Sequence, residues 1–414
     1  MASLIPRFAI RYGTDVFAAG CRATLAAKVP PVPNAGAPLD QRVFGNREMF
    51  WTGSGRQALS LLLVALKLGR GAKVGIPLFS SSAVAAAVKA AGCEPHYLDV
   101  DPRTLTLDPK EIARSRTRLS AIVPVHLFGN VADMDRILDA AAGVPVIEDT
   151  AQCLTGYWHG RLAGSFGIAG FYSFASSKCI PAGGGGMAVL NSNADGAMAA
   201  ALRELVSKLE PRKRSDSLRS AVMQFAKTAL FSRALYGPLG NRMRAGTEET
   251  GYLLAQVDAR AIAPSSAAAV RRLIPGFTDR MLRQRENSLK LIGFLRDVSG
   301  IVLPVEPAAA RYGYTLFPVL VGNTEERDNV RRIMLEHGVD TSEAHHNSAA
   351  IAAQNGYSGS CPVAEHVAGR VLTIPNFAEL TTRDLERVSS VFITALNRAR
   401  AAGRVRRIFE ARAV

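Results

Sequence analysis

The chain has 414 residues, of which 48% are hydrophobic, and it carries a formal net charge of +15. The length predicts about two or three domains, and the hydrophobic fraction excludes a disordered chain. The five cysteines lie far apart and form no CxxC pair, which argues against a disulfide framework and against a zinc site.

The positive charge is concentrated in two stretches. Residues 206–246 hold nine Lys and Arg against two acidic residues, and residues 397–414 hold six Arg against one Glu. Neither stretch shows the motifs of a nucleic-acid-binding domain. The sequence therefore predicts no nucleic-acid partner.

The N-terminal segment has no long apolar core and no clear cleavage site of a signal peptide. No apolar run approaches the roughly 18 residues that a membrane-spanning helix needs. Together with the unpaired cysteines, these features predict a cytoplasmic protein.

Predicted helices and strands alternate from about residue 53. Helices are predicted at 55–69, 81–92, 108–116 and 133–143, and strands at 73–79, 95–102, 121–129, 144–150, 167–175 and 185–191. The residue types suggest that Asp108 caps its helix, with Glu111 completing a capping box. This alternation predicts an α/β fold with a mostly parallel sheet covered by helices on both faces.

The basic segment 206–246 interrupts the alternation. A polar linker at 208–217 is followed by a predicted basic amphipathic helix at 217–237. Later patterns predict helices at 267–274, 279–295, 326–338 and 382–400 and a strand at 315–321. We therefore expect a large α/β domain, 1–275, and a small C-terminal α+β domain, 276–414.

Three polar features follow predicted strands or precede a predicted helix, where open parallel sheets bind ligands. Gly53-Ser54-Gly55-Arg56 opens a helix, and helix N-terminal N–H groups suit a phosphate. Asp149 ends a strand, and its carboxylate is suited to a metal, a ribose or a ring nitrogen. Lys178 follows an apolar run and precedes four glycines. Burial would lower the pKa of its amine and make it a better nucleophile.

Each feature alone also has a purely structural interpretation: a capping turn, a strand-end carboxylate and a surface lysine in a loop. Together they match the needs of pyridoxal phosphate. Its aldehyde forms a Schiff base with a lysine, its ring nitrogen needs an anionic partner, and its phosphate needs N–H and hydroxyl groups.

Four segments in order carry a family resemblance. They are VGIPLFSSSAVAAAVKAAGCEPHYLDVDPRTLTLDP, PVHLFGNVADMDRI, VIEDTAQCLTGYWHGRLAGSFGIAGFYSFASSKCIPAGGGGM and RVLTIPNFAELT, between about residues 50 and 395. In these the chain resembles the DegT/DnrJ/EryC1/StrS aminotransferases. These are fold-type-I pyridoxal phosphate enzymes that act mainly on nucleotide-linked keto sugars. The resemblance implies a large, mostly parallel α/β sheet domain, a small C-terminal domain and a homodimer.

The resemblance also implies roles for matching residues, and none of them is a metal ligand. Lys178 would be the Schiff-base lysine and proton carrier, and Asp149 would pair with the ring nitrogen. Gln152 would lie near the phenolic oxygen of the cofactor. Three further residues would bind its phosphate: Gly55, Arg56 and Ser173.

Some positions depart from the family pattern. Ser81 stands at the cofactor-binding position where an aromatic ring usually stacks, and Arg56 stands where threonine is common. The family's Gly-Tyr-Asn-Tyr-Arg loop corresponds to 251–255, with Leu253 in place of the asparagine. Arg260 is a candidate to replace the lost cation. These changes affect the substrate assignment more than the cofactor assignment.

Four other residues were considered as site candidates. His126 is either a satisfied histidine at a strand end or a catalytic one. The resemblance implies that His345 lies near the substrate. Cys153 and Cys179 are expected to be buried as small apolar residues.

The implied activity is transfer of an amino group from glutamate to a nucleotide-linked keto sugar, in glycan or secondary-metabolite biosynthesis. The alternatives are a non-nucleotide acceptor such as a cyclitol, and a non-catalytic binding or regulatory protein. We expect the basic helix of 206–246 to pack on the partner subunit. Peripheral contact with a membrane surface and binding of a sugar-linked diphosphate are the other interpretations.

Overall fold

The computed structural model describes residues 4–26, 41–44, 47–233, 235–237 and 257–412. The helices are α1 (Thr14–Leu25), α2 (Gln41–Phe44), α3 (Gly55–Ala65), α4 (Ser82–Ala90), α5 (Pro109–Ser115), α6 (Met134–Ala141), α7 (Gly196–Ser207), α8 (Arg214–Leu230), α9 (Pro264–Leu273), α10 (Phe277–Leu295), α11 (Thr324–Glu336), α12 (Ser348–Ala353), α13 (Pro362–Ala368) and α14 (Thr382–Arg412). The strands are β1 (Glu48–Thr52), β2 (Lys73–Pro77), β3 (Glu94–Leu98), β4 (Ala121–Ile122), β5 (Ile147–Asp149), β6 (Tyr157–Trp158), β7 (Arg161–Leu162), β8 (Ala169–Ser173), β9 (Gly186–Leu190), β10 (Ala310–Arg311), β11 (Phe317–Leu320) and β12 (Val371–Ile374).

The large sheet has the strand order β3-β2-β4-β5-β8-β9-β1. Parallel bridges from Ile122 to Val146 and from Val125 to Asp149 join β4 to β5. Neighbouring strands are parallel except β9, which runs antiparallel to both β8 and β1. The predicted mostly parallel α/β sheet is confirmed.

Helices cover this sheet, which explains the apolar strands. Every residue of β9 is buried, as are the last four of β2. Parallel sheets are buried on both faces, so their strands lack polar alternation. Helix α3 packs on β1, β8 and β9 and carries the buried side chains Leu59, Leu62 and Leu63. This packing fixes the N-terminus of α3 at the carboxyl end of β8.

A smaller α+β part follows, as predicted. Strands β11 and β12 pair antiparallel, and α11 and α10 both pack on α14. One continuous apolar cluster joins Ile137 of α6 to Phe392 of α14. The boundary between residues 275 and 276 therefore stays a prediction.

Two local predictions need correction. Asp108 does cap α5, since its carboxylate accepts from Lys110 N at 2.9 Å. Glu111 instead accepts from Arg114 at 2.6 Å, so no capping box forms. The predicted strand 121–129 ends early: Pro124 has no N–H for the ladder, and Phe128 turns back with φ of 61°.

Helix α8 lies with its polar side inward. The helix begins inside the predicted linker, and Ser217 and Gln224 are buried whereas Leu218, Val222 and Met223 are exposed. Ser217 bonds to Thr24 at 2.8 Å, and buried polar groups need such partners. Packing on a partner subunit, which this apolar face suits, stays a prediction, as does membrane contact. Within the described ranges, no helix has the length and apolarity to span a membrane.

Candidate active site

Asp149 ends strand β5 in the middle of the large sheet. Its main-chain N–H donates to Pro124 O at 2.9 Å, and its carboxylate accepts from Ala151 N at 2.9 Å. The side chain is buried. Burial raises the pKa of Asp149, and the positive charge of Lys178 opposes that shift.

Lys178 lies in the loop between β8 and β9, beside Asp149. The side chain is half-buried. Burial lowers the pKa of Lys178, and the negative charge of Asp149 partly restores it. A larger fraction of the amine is therefore neutral and nucleophilic than in a solvated lysine.

The glycine run seats the Lys178 loop against the N-terminus of α3. A Cβ atom at Gly186 would lie 2.3 Å from the carbonyl carbon of Ser54, so only glycine fits there. Gly185 has φ of 93° and would place a Cβ 2.5 Å from Ile262. The glycines that follow Lys178 therefore allow the close approach of this loop to α3.

Helix α8 holds both ends of the same loop. Gln224 accepts from Ser176 Oγ at 2.6 Å and donates to Pro181 O at 2.9 Å. Lys227 Nζ donates to Ser176 Oγ at 3.2 Å. Gln224 is not predictable from the sequence, because nothing in the local pattern links the basic segment to the lysine loop. The basic segment thus supports the site from behind.

The predicted phosphate ligands meet at the N-terminus of α3. A Cβ at Gly55 would lie 2.9 Å from Ser173 Cβ, so only glycine lets the start of α3 lie this close to Ser173. We call this close approach the Gly55–Ser173 cradle. Ser54 caps α3 by accepting from Gln57 N at 3.1 Å. The first N–H groups of the helix, including those of Gly55 and Arg56, are the groups that phosphate binds. These residues fit the phosphate of pyridoxal phosphate.

A cavity of about 450 Å³ opens beside Lys178. Gln152 lines it, and its Oε1 accepts from Phe128 N at 2.9 Å. This bond directs the amide NH₂ the other way, to 3.5 Å from His345 Nε2. The structure therefore fixes Gln152 with its donor group available at the site.

Ser81 also lines the cavity, and its hydroxyl accepts from Ala83 N at 3.3 Å as the cap of α4. Phe79 is completely buried, with its ring 6.0 Å from those of both Phe128 and His345. Ser81 is thus a helix cap at the cavity wall and offers no ring for stacking.

His345 reaches the cavity from the small domain. Burial, and then the charge of Lys178, lower the pKa of His345 to about 3. The unfolded chain binds a proton at this site below the ordinary pKa of about 6.5, whereas the folded chain does not. Stability therefore rises with pH between these two values.

We expect His345→Gln to remove this pH dependence. Between pH 7 and pH 5 the wild type should lose up to about 2 kcal/mol of unfolding free energy more than the variant. Urea unfolding at both pH values measures the difference. His346→Gln, which removes an exposed neighbouring imidazole, should follow the wild type. Equal pH slopes for wild type and His345→Gln would contradict the prediction.

His126 is a satisfied structural histidine. Its Nδ1 accepts from Ala132 N at 3.1 Å, so its Nε2 carries the proton and donates to Glu148 at 3.0 Å. Both side chains are fully buried. Cys153 and Cys179 are buried as predicted.

The loop at 251–255, with Leu253, lies outside the described residues. Arg260 pairs with Asp258 and Asp216, each at 2.9 Å. Its charge is neutralised within the chain, so the structure gives no support for Arg260 as a replacement cation. Over the part of the chain that the structure describes, no cluster of His, Cys, Asp and Glu could hold a metal.

Comparisons with known proteins identify the family. The model of the DegT/DnrJ/EryC1/StrS aminotransferase family matches residues 41–229 and 260–392. A UDP-N-acetyl-3-dehydro-alpha-D-glucosamine 3-aminotransferase of Acidithiobacillus ferrooxidans is 30% identical over 83% of each chain. The erythromycin biosynthesis sensory transduction protein EryC1 of Saccharopolyspora erythraea is 30% identical, over 80% of this chain and 81% of its own.

Solved structures share the fold. The aminotransferase TlmJ of Streptoalloteichus hindustanus superposes with a TM-score of 0.72 at 23% identity, covering 95% of this chain and 99% of its own. A sugar aminotransferase-like protein of Streptococcus pneumoniae is known in its PLP and PMP forms, with TM-scores of 0.74. The predicted fold-type-I architecture is thereby confirmed. The chain belongs to the DegT/DnrJ/EryC1/StrS family and is an aminotransferase.

Proposed function

We propose that this chain binds pyridoxal phosphate and transfers an amino group from glutamate to a nucleotide-linked keto sugar. The observation that carries the proposal is the meeting of three groups at the carboxyl end of the sheet. These are the desolvated Lys178, the buried Asp149 and the Gly55–Ser173 cradle. Each group matches one chemical demand of the cofactor.

The residues have separate tasks in this proposal. Asp149 would hold the protonated ring nitrogen, and Ser173 with the α3 N-terminus would hold the phosphate. When bound, the cofactor supplies an electron sink for the carbon that loses a proton. Lys178, whose pKa is lowered by burial, takes the proton from one carbon and returns it to another. Gln152 orients its amide toward the cofactor oxygen.

Relatives support a sugar acceptor. The Acidithiobacillus protein is named for a UDP-linked amino-sugar ketone. A GDP-perosamine synthase of Caulobacter vibrioides is 38% identical over 39% of this chain. The cavity is also suited to hydroxyl and phosphate groups, because polar side chains line it on the small-domain side: Arg7, Arg331, Ser342, Asn347 and Ser348.

A cyclitol ketone is the second candidate. L-glutamine:2-deoxy-scyllo-inosose aminotransferase of Streptomyces lividus is 37% identical over 39% of this chain. A non-catalytic role has a similar basis, since the pleiotropic regulatory protein of Geobacillus stearothermophilus is 37% identical over 34% of this chain. The proposal includes a homodimer located in the cytoplasm. It also includes peripheral contact of segment 206–246 with a membrane surface.

Absorbance spectroscopy tests the proposal. The purified protein with pyridoxal phosphate should show the visible band of lysine-bound cofactor, and glutamate should shift it to the near ultraviolet. A panel of UDP-, GDP- and dTDP-linked keto sugars and a keto-cyclitol should then restore the band selectively. Restoration by the cyclitol alone would select the second candidate. A folded protein with no band would support the non-catalytic role.

A further inference from the structure

A second, smaller cavity of about 60 Å³ lies at the same lysine loop. It shares Ser177, Lys178 and Thr315 with the larger cavity. Its other polar lining includes Ser176, Arg11, Gln284, Asn376, Glu379 and, on α10, Arg280. The two cavities therefore meet at the residue that we propose to react.

Arg280 is a half-buried cation beside this second cavity. Its Nη2 donates to Cys179 O at 2.7 Å. Among the residues that the structure describes, no carboxylate oxygen lies within 4.0 Å of its guanidinium nitrogens. Burial lowers the pKa of Arg280, and the charge of Glu379 only partly offsets this. A desolvated, unpaired charge is costly, so its presence beside a cavity indicates an anionic ligand.

The neighbouring groups that the structure describes compensate this charge only in part. Glu379 accepts from Arg11 Nε at 2.9 Å, so one carboxylate faces two guanidinium groups. The amide of Gln284 donates to Tyr314 O and Thr315 O, both at 2.9 Å. The Asn376 amide likewise donates to main chain and to a serine. The amides of Gln284 and Asn376 are thus already bonded, whereas Arg280 has guanidinium N–H groups available for a ligand.

We propose that Arg280, assisted by Arg11, binds the α-carboxylate of the amino-acid donor. This inference rests on the proposed function. In an α-amino acid the carboxylate and the amino group share one carbon, so the carboxylate must bind within a few bonds of Lys178. A guanidinium binds carboxylates through paired hydrogen bonds. The cavity has room for a carboxylate beside Arg280.

The test compares Arg280→Gln with a matched control, Arg283→Gln, which removes an exposed arginine from the same helix. In rapid-mixing experiments on the cofactor-loaded protein, the glutamate concentration for half-saturation should rise roughly 10- to 100-fold in Arg280→Gln. The half-reaction with the keto sugar, which has no α-carboxylate, should keep its wild-type constants. Arg283→Gln should match the wild type in both.

A binding measurement keeps the inference separate from turnover. Calorimetry with 2-methylglutamate, which lacks the proton that transfer removes, should show the same loss of affinity in Arg280→Gln. Arg280→Lys, which retains the charge, should show a smaller loss and serves if the glutamine variant does not fold.

Equal glutamate affinity in wild type and Arg280→Gln would overturn the inference while leaving the proposed function intact. An equal loss in both half-reactions would also overturn it, since a purely structural role through Cys179 would affect both. A wild-type protein that no amino acid converts would instead refute the proposed function.

Discussion

Lys178→Ala should abolish amino transfer while the chain remains folded. Lys178 is the amine beside Asp149 at the cavity, and burial lowers its pKa, which increases the fraction of neutral amine. Positioned proton transfer alone contributes roughly 10²–10⁴-fold in rate, and loss of the covalent attachment to lysine adds to this. We expect the visible cofactor band to disappear and turnover of glutamate with a keto sugar to fall below detection.

Two variants control this experiment. Lys178→Arg keeps a positive charge beside Asp149 but cannot carry the covalent bond, so it should be equally inactive. Lys110→Ala, at an exposed position on α5, should behave as the wild type. Added methylamine should restore part of the rate to Lys178→Ala, because a free amine can enter the 450 Å³ cavity. Substantial activity in the alanine variant would show that another group moves the proton.

Asp149→Asn is expected to have the second-largest effect. The substitution keeps the size of the side chain and removes the charge that, in the proposed function, would keep the ring nitrogen protonated. Loss of one preorganised electrostatic group typically costs roughly 10²–10³ in rate. The cofactor phosphate keeps its cradle at Ser173, so binding should weaken less than turnover. Single-turnover rates and a cofactor titration separate these two effects.

The same variant has a stability signature that does not depend on activity. Burial raises the pKa of Asp149, so the folded chain binds a proton there that the unfolded chain releases above its ordinary pKa of about 3.9. Stability therefore falls as pH rises from that value through the folded pKa. Without cofactor, Asp149→Asn should unfold at a higher temperature than the wild type at pH 7. With cofactor the order should reverse. A wild type that gains no more from cofactor than the variant would contradict the assigned role.

Local sequence patterns were sufficient for the sheet. Short apolar runs alternate with segments of helical apolar spacing, and this order predicted a parallel sheet. Each signal depends only on which side of its own strand or helix is buried. Lys178, Asp149 and Ser173 lie in one continuous stretch of the chain. Any fold that pairs β5 with β8, as this structure does, therefore brings these residues close together.

Contacts between distant parts of the chain were not predictable in this way. The local pattern around His126 suits both a structural and a catalytic histidine. Its pairing with Glu148 depends on the adjacency of β4 and β5 in the sheet. Helix α8 was predicted to be amphipathic, but periodicity does not say which side faces inward. The polar side faces inward because Ser217 bonds to the hydroxyls of Thr24 and Ser265. Buried polar groups need such partners.

The sequence by itself determined the α/β order and the residues that suit a cofactor, because helices, strands and caps depend on neighbouring residues. The tertiary structure alone decided what stands behind Lys178. Gln224 and Arg280 lie 46 and 102 positions after it in the chain, and both contact its loop through main-chain carbonyls. Every residue has a main-chain carbonyl, so these hydrogen bonds require no particular residue types in the loop. Only packing brings these side chains to it.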